Sequence, residues 1–203
     1  MSGRVLVAGL GNVFLGDDGF GVEVVRRLAD RPLPSGVELA DIGIRGVHLA
    51  FELLDGVELL ILIDAAERGE APGTVCVIEV EQGDEHRQNP AREVGFAPLM
   101  DAHDMGPDAV LGLLDALGGH AGRTIVVTCE PDRSEPGIGL SSRVQAAVDV
   151  AADAVIARLP GGDRTHPEEE CDVGQSGQGD RAGRAGGGDH PVHPGPQALP
   201  GNT

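Results

Sequence analysis

The sequence of 203 residues contains no lysine, tryptophan or tyrosine, and all 15 of its basic side chains are arginines. The absence of lysine excludes a P-loop lysine, Schiff-base chemistry and a lysine general base. The formal net charge of −18 argues against nucleic acid or an anionic membrane as a partner, because both favour a basic protein surface. Aromatic residues make up only 2% of the chain but hydrophobic residues 40%, so aliphatic side chains must form the core.

Cysteines are few, and long hydrophobic runs are missing. Cys76, Cys129 and Cys171 are widely spaced, odd in number and without a C-x-x-C pair, which is typical of a reducing compartment without disulfides or a resident zinc site. No apolar run approaches the roughly 20 residues that span a membrane. The first apolar strand begins too early for a signal peptide. The sequence therefore predicts a cytoplasmic protein that is not inserted in a membrane.

Common catalytic motifs are also absent. The chain has no G-x-S-x-G nucleophile elbow and no H-E-x-x-H zinc motif. Cys129 follows an apolar run, but nothing in the sequence marks a paired base, which favours an inert thiol. A dinucleotide fingerprint begins with Gly9 and Gly11, yet Phe14 occupies the position of its third glycine. Nucleotide binding is therefore a weak third hypothesis.

Short apolar runs alternate with helical patterns between residues 4 and 159. Runs 5–8, 59–63 and 124–128 have the length and composition of buried strands. This alternation predicts an α/β fold, a three-layer α/β/α sandwich with a mostly parallel, doubly wound sheet. Residues 74–80 suit an edge strand, because acidic residues follow them directly.

The composition changes near residue 160. Residues 1–160 read as one α/β domain, whereas residues 161–203 are dominated by Gly, Pro, Asp and Gln. Such a segment cannot bury enough apolar surface to offset its ordering entropy, so we expect a disordered tail. The tail histidines His166, His190 and His193 suggest metal binding, but a low-complexity extension without a ligand is the favoured interpretation.

Two adjacent carboxylates, Asp17 and Asp18, stand between the first predicted strand and the amphipathic run 19–28. In open α/β folds, binding sites lie at this carboxyl edge of the sheet. A helix N-terminus also favours a carboxylate as a cap, so capping is the alternative for one member of the pair. If one carboxylate of the pair is a helix cap, the presence of the other still has no explanation.

Asp18, Asp64 and His103 occupy comparable positions in the predicted topology. Asp18 follows the first strand, Asp64 ends the central strand, and His103 precedes a helix. Because strand ends converge at one edge of a parallel sheet, we expect the three side chains to meet in one cleft. Two carboxylates and an imidazole suit a divalent metal ion and leave coordination positions open. His48 and Glu52 have metal-ligand spacing on a helix, but an exposed helical pair is the commoner case.

Four stretches of the sequence match the motifs of one known family. They are GNVFLGDDGFG from Gly11 to Gly21, I-D-A around Asp64, His103 with a glycine and a leucine-rich helix after it, and residues 131–140. In this combination the chain resembles the nickel–iron hydrogenase maturation endopeptidases. That family removes a C-terminal extension from the hydrogenase large subunit once nickel is installed.

The resemblance covers residues 4 to about 159 and implies a site. It implies that Asp18, Asp64 and His103 contact a metal, with Asp18 and Asp64 as the catalytic carboxylates. It also implies that the protein holds no resident metal cofactor, since nickel arrives bound to cysteines of the large-subunit precursor. We expect that precursor to be the partner and the protein to act as a monomer.

Substrate binding is implied for the loop after the second predicted strand, through Asp41, Gly43 and Gly46. The family commonly has Asp-Gly-Gly-Thr here, whereas this chain has D-I-G-I-R-G at residues 41–46. Ile42 and Ile44 are bulkier and apolar at their positions, which bears on the class of hydrogenase that is served.

The sequence does not decide between two mechanisms, nor between peptidase activity and one rival function. The metal could polarise the scissile carbonyl or activate water, or one carboxylate could act as general base. The rival function is a nickel-checkpoint or chaperone-type binding module for hydrogenase assembly without peptidase activity.

Overall fold

A computed structural model describes residues 3–80 and 105–161 of the chain. Within these residues, five strands form one sheet in the order β2-β1-β3-β5-β4. The strands are β1 (Val5–Leu10), β2 (Val37–Gly43), β3 (Leu59–Ala65), β4 (Val75–Val80) and β5 (Arg123–Cys129). The helices are α1 (Phe20–Ala29), α2 (Gly46–Glu52), α3 (Pro107–Ala116) and α4 (Ser142–Arg158), with short 3-10 turns at Gly16–Gly19 and Leu53–Asp55.

The sheet is mostly parallel, as the sequence predicts. Strands β2, β1, β3 and β5 pair in parallel, and only β4 runs antiparallel, at the edge beside β5. The chain steps outward from β1 to β2 and then crosses to β3 on the other side of β1, which gives the doubly wound order. The predicted α/β fold class is confirmed, and the predicted edge strand is β4.

Two aliphatic layers cover the sheet. Helices α1 and α4 pack on one face, where Val24 and Val148 contact the cluster that includes Ile61. Helices α2 and α3 cover the other face, where Leu49 and Leu114 belong to a second cluster. Strand β3 is apolar on both sides because both of its faces are covered, which explains the unbroken apolar run in the sequence.

A close approach between α1 and the sheet depends on two glycines. A Cβ atom at Gly21 would lie 2.2 Å from the backbone oxygen of Ile63 and 2.5 Å from that of Leu10. A Cβ atom at Gly9 would lie 2.3 Å from the oxygen of Gly21. Gly9 and Gly21 therefore allow α1 to pack closely on the sheet. In the dinucleotide fingerprint, a glycine at position 14 would serve this close packing.

Gly21→Ala is expected to lower the free energy of unfolding by about 3 kcal/mol or more, because the methyl group meets backbone that cannot move aside. Gly112→Ala provides the matched control, since Gly112 lies in α3 and a Cβ there has no neighbour within 4 Å. That control should gain up to about 1 kcal/mol from the better helix propensity of alanine. Urea unfolding of both variants measures the difference, and equal stabilities would contradict the packing argument.

The interpretation of the cysteines is only partly right. Cys129 is a free, buried thiol as expected, but Cys76 is disulfide-bonded, so the prediction of a chain without disulfides is wrong. Wide spacing in sequence does not keep two cysteines apart in a folded chain, which is why spacing was a poor guide. The cytoplasmic location stays a prediction.

Among the helices of the described residues, none has both the length and the apolar character to cross a bilayer. Helix α4 ends at Arg158, close to the predicted domain boundary. Residues 162–203, which include the predicted tail and its histidines, lie outside the described residues. The division at residue 160 and the disorder of the tail therefore stay predictions.

Candidate active site

Asp18 and Asp64 line the same small cavity at the carboxyl edge of the sheet. Asp64 belongs to the end of β3, and Asp18 lies in the 3-10 turn that follows β1. Strands β1 and β3 are parallel neighbours, with Gly9 opposite Ile63, so their ends deliver both carboxylates to one place. The cavity has a volume of about 50 Å³, which is room for a few water-sized groups. Its lining is Gly11, Asp18, Gly43, Ile44, Asp64, Ala65, Met105 and Gly106.

Gly11 lets the two carboxylates come together. Its φ of 107° lies in the left-handed region that favours glycine. A Cβ atom at this position would lie 1.8 Å from the backbone oxygen of Asp18 and 3.5 Å from Oδ1 of Asp64. A side chain here would therefore displace the turn that carries Asp18, which explains the glycine at the start of the N-terminal motif.

Backbone N–H groups orient both carboxylates. The N–H of Asn12 donates to Oδ2 of Asp18 over 2.5 Å, and the N–H of Ala65 donates to Oδ1 of Asp64 over 3.0 Å. Asp64 is buried, with 7% of its surface exposed, whereas Asp18 is half-buried. Two oriented carboxylates beside a small opening can bind a cation or accept a proton from water.

Asp17 points away from this cavity and is fully buried. Its Oδ2 accepts the N–H groups of Asp132 and Arg133 at 3.0 and 2.9 Å, and its Oδ1 accepts that of Ser141 at 2.5 Å. Burial alone would raise the pKa of the Asp17 carboxyl, but these hydrogen bonds lower it below its ordinary value. Asp17 is therefore a charged anchor for a segment far away in the sequence.

The capping alternative for this pair is wrong. The N-cap of α1 is Gly19, and no side chain caps that helix. Asp17 binds the backbone ahead of α4, and Asp18 binds the loop after β1. Substituting Asp17 by asparagine therefore has a clear structural cost, because these backbone hydrogen bonds depend on both carboxylate oxygens.

The end of β2 and the loop that follows it reach the cavity with one residue each. Gly43, with φ 57°, accepts the N–H of Gly11 at 3.2 Å and lines the cavity. Ile44 lines it too, with 42% of its surface exposed. Ile42, the other departure from the family pattern, is buried in the core beneath. Of the two unusual isoleucines, only Ile44 can touch a substrate at this cavity.

Asp41 and Gly46, the other predicted substrate residues, lie outside the cavity lining. Asp41 is exposed and its carboxylate lies 3.5 Å from a guanidinium nitrogen of Arg26. Gly46 is buried at the start of α2, where a Cβ atom would lie 2.7 Å from Cβ of Met105. Gly46 thus shapes the site through Met105, which lines the cavity.

His103 lies outside the described residues, two positions before Met105. Within residues 3–80 and 105–161, no group of three His, Cys, Asp or Glu side chains could hold a metal ion. Of the three residues in the predicted metal site, the structure describes only the two carboxylates. The metal-binding role of Asp18, Asp64 and His103 stays a prediction.

Cys129 is not an activated nucleophile. It is fully buried at the end of β5, and burial, with a smaller contribution from the charges of Asp17 and Glu130, raises the pKa of its thiol to about 12. At neutral pH such a thiol carries almost no thiolate, the form that attacks carbonyl groups. This agrees with the sequence interpretation of an inert thiol.

Five lining residues were not predicted as site residues: Gly11, Ile44, Ala65, Met105 and Gly106. Gly106 was noted only as part of the histidine motif, yet a Cβ atom there would lie 3.3 Å from Oδ2 of Asp64. An isoleucine between two glycines, in Gly43-Ile44-Arg45-Gly46, was the one signal in the sequence that could have marked Ile44. Met105 gave no signal, because a single apolar residue before a helix usually belongs to the core.

This fold and this pair of carboxylates define an α/β protein with an acidic site at the carboxyl edge of its sheet and no activated thiol among the described residues. The family model described as hydrogenase maturation protease matches residues 22–158. The chain belongs to the hydrogenase maturation protease family and is thereby an endopeptidase, a hydrolase. The resemblance inferred from the motifs is confirmed.

Curated relatives match most of the chain. A putative hydrogenase maturation protease of Methanocaldococcus jannaschii is 32% identical over 162 residues, which cover 76% of this chain and 96% of the relative. The hydrogenase 2 maturation protease of Escherichia coli is 32% identical over 157 residues, which cover 77% of this chain and 90% of the relative.

Solved structures share the fold. The hydrogenase maturating endopeptidase HybD from Escherichia coli is similar with a TM-score of 0.59 and 31% identity, over 76% of this chain and 90% of that one. A hydrogenase 2 maturation peptidase from a Thaumarchaeota archaeon has a TM-score of 0.55 and 33% identity, over 75% of this chain and 95% of that one.

Proposed function

We propose that this protein removes the C-terminal extension of a nickel–iron hydrogenase large-subunit precursor after nickel insertion. In this proposal the nickel belongs to the substrate, and Asp18, Asp64 and His103 contact it. The nickel then signals that the precursor is ready and brings the scissile peptide bond to the two carboxylates.

The observation that carries the proposal is the shared cavity of Asp18 and Asp64. Its volume of about 50 Å³ is too small for a peptide segment, so the extension must lie across its mouth. Carboxylates and an imidazole are suitable ligands for a divalent ion whose remaining positions are filled by the precursor. A site that is completed only by a loaded substrate needs no nucleophile of its own.

The chemistry requires a polarised carbonyl and an attacking water. Substrate nickel can supply the polarisation as a Lewis acid. The carboxylates hold that nickel, and either of them can accept the proton of the attacking water. The backbone N–H groups of Asn12 and Ala65 fix their orientation, which lowers the cost of arranging the site.

The rival function, a nickel checkpoint without peptidase activity, predicts binding but no cleavage. Incubation of the purified protein with nickel-loaded precursor decides between the two. We expect the large subunit to lose the mass of its extension and the free extension peptide to appear. A stable complex with an unchanged subunit mass would instead support the checkpoint.

Substrate-borne nickel also predicts the metal content of the protein. After purification without chelators, we expect less than one equivalent of nickel or zinc per chain, because three candidate ligands fall short of a closed four-ligand site. Titration with Cd²⁺ should show one weak site, which Asp64→Asn removes. Elemental analysis measures the first quantity and calorimetry the second. A tightly held zinc ion would contradict the borrowed-metal proposal.

A further inference from the structure

Asp17 is a buried carboxylate that the proposed mechanism does not use. Its hydrogen bonds belong to a two-way contact between the turn after β1 and residues 131–141. The N–H of Asp17 donates to the oxygen of Arg133 at 3.1 Å, and that of Gly16 donates to Gly137 at 2.9 Å. In return, the N–H of Gly137 donates to the oxygen of Phe14 at 2.8 Å. The turn is therefore held from outside, by a segment more than 100 residues away.

The turn needs this outside support. It is a single 3-10 turn, Gly16–Gly19, and no side chain caps it. It carries Asp18, whose carboxylate accepts the N–H of Asn12. Any shift of the turn moves the Asp18 carboxylate relative to the cavity and changes this 2.5 Å hydrogen bond.

We propose that Asp17 is a positioning residue for the cleavage reaction, because it clamps the turn that carries Asp18 against residues 131–141 and so holds the Asp18 carboxylate at the cavity. This inference rests on the proposed function, which gives Asp18 its role. Asp17 itself does not touch the substrate.

An asparagine cannot replace Asp17 in the clamp. Both carboxylate oxygens accept backbone N–H groups, two on Oδ2 and one on Oδ1. The amide of asparagine has one oxygen, so its NH₂ group must face an N–H donor on one of the two sides. The side chain keeps its size, and only the hydrogen bonding and the charge change.

The test compares Asp17→Asn with Val155→Ala, a variant of a buried residue in α4 that also loses stability. Both are measured at a temperature where each is fully folded. For Asp17→Asn we expect cleavage of nickel-loaded precursor to fall by about 10- to 100-fold, as for partners that orient metal ligands. In the wild-type protein we expect the short hydrogen bond to Asp18 to shift the Asn12 amide proton downfield. In Asp17→Asn this resonance should move toward the position of an ordinary amide. Val155→Ala should leave both unchanged.

The proposal is overturned if Asp17→Asn behaves like Val155→Ala in either readout. A loss of cleavage with an unchanged Asn12 resonance assigns Asp17 another role, and a moved resonance with full cleavage shows that the clamp is not needed. A wild-type protein that leaves the precursor uncut overturns the proposed function instead, and the Asn12 resonance then decides the clamp alone.

If Asp17→Asn does not fold, native-state hydrogen exchange of the wild-type protein tests the clamp. The amides of Asn12, Arg133 and Ser141 should exchange through one common opening, with the same free energy and the same denaturant dependence. Exchange of Asn12 through a separate, easier opening would overturn the proposal, because Asp18 would then move while the clamp stays closed.

Discussion

Asp18→Asn is expected to reduce cleavage of nickel-loaded precursor by at least about 100-fold, as much as Asp18→Ala does. Asparagine keeps the size of the side chain and can still accept the N–H of Asn12. It lacks the negative charge that attracts a metal ion or accepts a proton. The measurement is the initial rate of loss of the extension, followed by mass spectrometry with proteins of matched melting temperature.

Asp55→Asn is the matched control for this prediction. Asp55 is exposed and lies just before β3, at the opposite edge of the sheet from Asp64. The Asp55→Asn variant loses the same charge as Asp18→Asn but far from the cavity. Its cleavage activity should therefore stay close to that of the wild-type protein. Full activity of Asp18→Asn would limit Asp18 to orienting the loop after β1, and the proposed site would lose its first carboxylate.

Nickel-free precursor is expected to be cleaved at least about 100-fold more slowly than nickel-loaded precursor, because a bound metal contributes several kcal/mol to stabilising charge in the transition state. The wild-type protein is incubated with large subunit purified from cells grown with or without nickel, and the mass of the subunit is followed over time. This result would tie the peptidase activity to the metal carried by its substrate.

An unspecific protease is the control for the nickel comparison. It should cut the junction of the extension equally well in both precursors, which shows that nickel does not merely expose or hide the junction. Equal cleavage of both precursors by the wild-type protein would contradict nickel recognition by Asp18, Asp64 and His103. The assignment as an endopeptidase would remain.

The fold could be predicted because local patterns and global topology agree in this chain. The apolar run that forms β3 is long and β-branched in part, as a strand covered on both faces requires. Pro107 opens α3, and Ser141 caps α4 with its side chain. Each of these signals acts within a few residues of the element it specifies.

The site could be predicted only in part, because its partners are distant in sequence. The pair Asp17 and Asp18 marked the right turn in the sequence. Which of the two binds distant backbone and which lines the cavity depends on N–H groups such as that of Ser141, 124 residues away from Asp17. Ile44 and Asp64, which belong to different elements, likewise come to line one cavity only in the folded chain.

The clamp at Asp17 also sets an order of events during synthesis. Strand β1 and its turn leave the ribosome early, whereas the last of the donors to Asp17 is 124 residues further along the chain. A nascent chain that ends before β5 can already pair β1 with β2 and β3. It cannot yet supply Asp17 with its backbone donors. The support of Asp18 is therefore completed only after β5 has been made, and a chain that ends before β5 lacks the backbone donors that hold the turn of Asp18 in place.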